Sequence, residues 1–100
     1  MKLLIIIINA GFVDEVMEIA REAGIKGGTI LNARGAGEHF HSFMGITVDA
    51  EKEMIMSVAD ETAADKAMAG IKEKAGIKTP AHGVCFTLPV EKWVGLFQED

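Results

Sequence analysis

Near its start the chain carries six aliphatic residues in a row, Leu3-Leu4-Ile5-Ile6-Ile7-Ile8, with no polar interruption. The run is far too short to cross a bilayer as a helix. Asn9 to Gly11 end it at once, and no A-x-A-like cleavage site follows, which argues against a signal peptide. A run rich in isoleucine without alternation fits a central β-strand, covered on both faces, better than a short helix. Lys2 to Asn9 is therefore expected as the first strand, and the rest of the chain must supply two layers to cover it.

The first layer follows directly. From Asp14 the apolar residues Val16, Met17, Ile19, Ala20 and Ala23 recur at helical spacing, acidic Asp14 and Glu15 lie in the first turn, and Gly24 can close the end. This predicts a helix over 12–23. Gly27 to Gly35 then alternates as a second strand, Thr29, Leu31 and Ala33 to one side and Ile30, Asn32 and Arg34 to the other. Ile46 to Ala59 returns to strand character, most securely at Met54 to Val58, with charged residues near Asp49 to Lys52 that could bend it or place its outer half beyond the sheet. Asp60 can cap a second helix, whose stripe is Ala63, Ala64, Ala67, Met68, Ile71 and Ala75 before Gly76. Val84 to Leu88 reads as the last strand, ended by Pro89, and Val90 to Phe97 is an apolar tail holding Trp93.

The order βαββαβ predicts one α+β domain over 1–100. It is the ferredoxin-like sandwich, an antiparallel four-stranded sheet with two helices on one face. Helices on one face leave the other face of very apolar strands in water, an arrangement that favours self-association through the sheet. A net charge of −5 argues against a nucleic-acid binder, which would show a basic face. The single cysteine, Cys85, cannot form an internal disulfide and reads as a structural thiol, compatible with a reducing cytoplasm.

Two stretches carry candidate chemistry. Gly35 and Gly37 flank Ala36, so the backbone can adopt positive φ and let a ligand reach its N–H groups, as a phosphate or ribose cradle requires; a bulge or turn ending the strand is the alternative. The connection Glu38-His39-Phe40-His41-Ser42-Phe43-Met44 is too polar for a core and too aromatic for a plain linker. On an extended segment His39 and His41 point to the same side, a pair that zinc, copper or nickel could use with Glu38, although loop histidines often serve no ligand. No nucleophile and base stand at a spacing that suggests hydrolysis, so an enzyme is not expected.

Taken together, Asp14-Glu15-Val16, the stretch Gly24 to Thr29 leading to Gly35-Ala36-Gly37, Val58-Ala59-Asp60, and Gly83 to Glu91 resemble the nitrogen regulatory P-II signal transducers and their P-II-like relatives over nearly the whole chain. The resemblance implies a cytoplasmic homotrimer with sheets packed inward and adenine nucleotides in the clefts between subunits. It also implies a T-loop, here short, that engages a regulated target such as a membrane transporter or an enzyme of nitrogen utilisation. It places Thr29, Gly35, Ala36, Gly37, Ser57 and Val58 at the nucleotide, with Lys78, Thr79, His82 and Gly83 in the phosphate-gripping B-loop. Glu38 to Met44 become the partner-binding loop.

The chain departs from that pattern at several points. The lysine after the last B-loop glycine is Val84, two arginines beyond the final strand are Gly95 and Phe97, and the adenine-facing glutamate is Ile55. Each missing cation removes a charge-assisted hydrogen bond of about 1.5–3 kcal/mol, which weakens triphosphate binding. Candidate effectors are then ADP, AMP, ATP or a cyclic nucleotide, with no cofactor required. His39 stands where the family's magnesium-chelating glutamine does, so 2-oxoglutarate sensing in the usual manner is not expected, and the absence of tyrosine excludes tyrosine-directed nucleotidylylation. A metal-binding trimer built on His39 and His41, or an interaction scaffold without ligand, are the rival readings.

Overall fold

The computed structural model describes residues 1–36 and 50–96, together with the backbone of 41–43 and 46–48; side chains are described at 1–36 and 51–96. The elements are β1 (Lys2–Asn9), α1 (Val13–Glu22), β2 (Thr29–Gly35), β3 (His41–Phe43), β4 (Ile46–Val48), β5 (Ala50–Ala59), α2 (Glu61–Lys74) and β6 (Val84–Pro89). Four strands form an antiparallel sheet in the order β2-β5-β1-β6, and β3 pairs with β4 as a separate ribbon. Removing that ribbon leaves the expected βαββαβ frame.

The helices form for the anticipated reasons. Asp60 accepts a hydrogen bond from the Ala63 N–H at 2.8 Å and so satisfies one donor of the first turn of α2. Gly24 follows α1 with φ +104°, a conformation that other residues rarely adopt, and lets Ile25 turn back into the core. Both helices set small or branched residues against the sheet: Val16, Ile19 and Ala20 from α1, Ala63, Ala64, Ala67 and Ile71 from α2.

The register explains the uninterrupted isoleucines. Leu4, Ile6 and Ile8 are fully buried beneath the helices with Ile55. Leu3, Ile5 and Ile7, on the opposite face, stay partly exposed. They belong to three cross-strand rows: Leu31-Met54-Ile7-Val84, Thr29-Met56-Ile5-Phe86 and Val58-Leu3-Leu88. Of these, Leu31, Val84, Phe86 and Leu88 are among the exposed large apolar residues. The expectation of a first strand covered on both faces is thus met on one face only within a single chain.

One expected strand divides. Ile46 to Ala59 is not continuous: Ile46–Val48 leaves the sheet to pair with His41–Phe43, while Ala50–Ala59 pairs with β1 and β2. Gly35 ends β2 where the second strand is expected to end, but without the positive φ that its glycine would allow: it stays in the ladder opposite Ala50.

Candidate functional site

Between the start of β2 and the end of β5 the sheet opens into a cleft of about 700 Å³. Its wall is made by Gly27, Gly28, Thr29, Ser57 and Val58, and Asp60 at the N-terminus of α2 faces the same space. The local sequence explains why the two strands come so close. Gly28 lies against β5, where an added Cβ would stand 2.5 Å from the Ser57 hydroxyl and 3.0 Å from the Met56 carbonyl oxygen. The Ser57 hydroxyl donates to the Gly27 carbonyl at 2.8 Å. Ser57 is the buried polar residue among those described, and this bond satisfies it.

Thr29, Ser57 and Val58, all expected at a nucleotide, are therefore brought together at this cleft. The other expected residues lie elsewhere. Gly35 is six residues along β2 from Thr29, about 20 Å away in an extended strand. Ala36 follows it, and Gly37 lies outside the described residues. Lys78, Thr79, His82 and Gly83 form the turn between α2 and β6, at the same end of the sheet as Gly35 but beside the opposite edge strand. Three strand spacings, about 14 Å, separate those edges.

That turn is held tightly. Thr79 donates both its N–H and its hydroxyl to the Gly76 carbonyl, at 2.9 and 2.8 Å. The Gly83 N–H donates to the Ala75 carbonyl at 2.7 Å, so closely that a Cβ at Gly83 would collide with the same oxygen. His82 has φ +49°, uncommon for a residue other than glycine, and its Nδ1 is 3.0 Å from the Ile77 carbonyl oxygen. Lys78 is exposed, so its ammonium faces solvent at the rim of the turn.

In the proposed partner-binding loop, the backbone of His41, Ser42 and Phe43 forms β3 opposite Val48, Thr47 and Ile46. Glu38, His39, Phe40 and Met44 lie outside the described residues, and with them the His39/His41 pair as a metal ligand set. Among the described residues no group of three or more histidine, cysteine or acidic side chains is placed to hold a metal. Cys85 packs against the core on the helix-covered face, opposite Ile6, and burial pushes its thiol pKa up.

Two residues of this region escaped the sequence reading. Gly28 sets the close approach of β2 to β5, and Lys26 lines the mouth of the cleft as a cation. The Gly27-Gly28 pair was a signal for the first; nothing in the sequence distinguished Lys26 from other surface lysines.

No match is found among curated proteins. A PII-like signaling protein of Thermus thermophilus has a similar structure, with a TM-score of 0.67 and 18% identity, over 87% of this chain and 82% of that one. At that identity the likeness establishes the fold, a ferredoxin-like sandwich of the PII type. No helix among the described residues is long and apolar enough to cross a membrane. The family model of nitrogen regulatory protein P-II matches residues 1–99, and the chain therefore belongs to the P-II family of signal-transducing regulators.

Proposed function

We propose that this protein is a homotrimeric cytoplasmic regulator that binds an adenine nucleotide between copies of the chain and controls a target protein through the loop Glu38 to Met44. The observation that carries this reading is the division of the expected ligand residues. Thr29, Ser57 and Val58 stand at one place, Gly35 and Ala36 about 20 Å along β2, and the 78–83 turn beside the opposite edge strand. Under this reading a single small ligand that touches the first group and either of the others bridges two copies.

The apolar sheet face supplies the means of bringing copies together. Leu3, Ile5, Ile7, Met54, Met56 and Phe86 stand on it in cross-strand rows. Fully burying an exposed side chain of this kind contributes about 1.5–3 kcal/mol, and these partly exposed ones contribute a fraction of that each. Packing these faces together supplies the missing cover for β1 and sets the β2 edge of one copy beside the turn of another. The regulated target, under this reading, is a membrane transporter or an enzyme of nitrogen metabolism. Ligand binding acts on it by favouring one state of the Glu38 to Met44 loop over another, which requires different affinity for the two states.

Sedimentation equilibrium and equilibrium dialysis with ADP and ATP on the same preparations test it. The wild type should sediment at three times the 10.7 kDa chain mass and bind one nucleotide per chain. Ile5→Glu, which places a charge in the middle of the apolar face, should give a monomer that binds at least about tenfold more weakly. A monomeric variant with undiminished affinity would remove the intersubunit site.

A further inference from the structure

Asn9 ends β1 and makes three hydrogen bonds to distant parts of the chain. Its backbone N–H donates to the Ala81 carbonyl at 2.8 Å, its side-chain Nδ2 donates to the Pro80 carbonyl at 2.9 Å, and its Oδ1 accepts from the Lys52 ammonium at 2.6 Å. The orientation of the amide is fixed by chemistry, since a proline carbonyl only accepts and an ammonium only donates. A carboxylate or an aliphatic side chain cannot serve both partners.

The two partners belong to different parts of the molecule. Pro80 and Ala81 lie in the turn that holds Lys78, Thr79, His82 and Gly83, whose own bonds run within the turn or back to Ala75. Ala81 is buried, and Pro80 and Ala81 are where the turn is joined to the end of β1. Lys52 lies on β5 two residues after Ala50, which pairs with Gly35. Around it the start of β5 is fastened to the residues after β1: the Ala10 N–H donates to the Glu51 carbonyl at 3.1 Å and the Gly11 N–H to Glu53 Oε1 at 3.0 Å.

We propose that Asn9 couples the 78–83 turn to the start of β5, acting through Lys52, so that a change at the turn reaches the β5 residues that follow Ala50. The functional meaning of this coupling rests on the regulator reading above; the coupling itself does not. Asn9 is a positioning residue in this scheme, acting through Pro80 on one side and Lys52 on the other.

Amide hydrogen exchange on the ligand-free full chain tests it, with the His82 and Gly83 N–H groups as reporters because they are bonded to Thr79 and Ala75. Lys52 touches neither. Lys52→Met keeps the alkyl stem and removes the donor, and should speed exchange at His82 and Gly83 about tenfold. Asn9→Asp keeps an acceptor for Lys52 and loses the donor to Pro80, and should do the same. If Lys52→Met alters exchange only around β1 and β5 while Asn9→Asp loosens the turn, Asn9 is a local pin and the coupling is refuted. Unchanged exchange in both variants refutes it too. Since no ligand is added, a failure here is separate from a failure to bind nucleotide.

Discussion

Gly28→Ala tests whether the cleft wall is set by the contact between β2 and β5. The new Cβ would stand 2.5 Å from Ser57 Oγ, 3.0 Å from the Met56 carbonyl oxygen and 3.2 Å from Ile55 Cγ2. The hydroxyl has to move first, breaking its 2.8 Å bond to Gly27. Ser57 is only 4% exposed, so a displaced hydroxyl is left without water, at a cost of about 1–3 kcal/mol. The backbone contact with Met56 adds about 1 kcal/mol of strain. The sum, about 2–4 kcal/mol, should appear as a lower urea midpoint at a fixed protein concentration, because self-association makes stability depend on concentration. Ser57→Ala alone loses one hydrogen bond to an exposed carbonyl and should cost about 1 kcal/mol. In the double variant the hydroxyl is gone, so its displacement no longer has to be offset. A double-mutant cycle should then give a favourable coupling of about 1–2 kcal/mol. Strict additivity, within about 0.5 kcal/mol, would refute the contact as the origin of the effect.

Other consequences follow from single interactions. Asp60→Ala removes the acceptor for the Ala63 N–H and should lower stability by about 1 kcal/mol, read by urea unfolding, while Asp60→Ser restores most of it. Burial holds the Cys85 thiol protonated above its ordinary value of 9.0, so the native state keeps a proton that the unfolded chain releases. Stability from this group is full below pH 9 and is lost as the pH rises through the folded value; urea midpoints measured from pH 8 to 10.5 should fall more steeply in the wild type than in Cys85→Ala. Equal slopes would show that the thiol is not linked to folding. The same burial should make native Cys85 react with a thiol reagent at least about tenfold more slowly than the unfolded chain at pH 8.

Much of the frame is legible because its determinants are local. The isoleucine run, the Asp60 cap, the alanine stripe of α2 and Gly24 after α1 each act within a few residues, and each forms the element that its pattern indicates. What is not legible depends on partners distant in sequence. Ile46-Thr47-Val48 has the same strand character whether it joins β1 or folds back on His41–Phe43, and only the pairing distinguishes the two. Gly35 has the freedom to turn but sits opposite Ala50, where the ladder keeps it extended. Asn9 looks like a simple strand terminator until its bonds to Pro80 and Lys52, 71 and 43 residues away, are seen. The candidate site divides in the same way: Thr29, Ser57 and Val58 meet through strand pairing, whereas Gly35 lies at the other end of β2 and His82 beside the opposite edge strand.

The most direct test of the proposed ligand is the melting temperature of the purified wild-type protein with ATP, ADP, AMP and cyclic AMP, each raised to millimolar concentration. A nucleotide present at a hundred times its dissociation constant stabilises the native state by about 2.7 kcal/mol per site, which for a chain of this length raises the midpoint by several degrees. The account predicts such a rise with at least one adenine nucleotide. A flat response to all four from a protein that is folded and trimeric would contradict it.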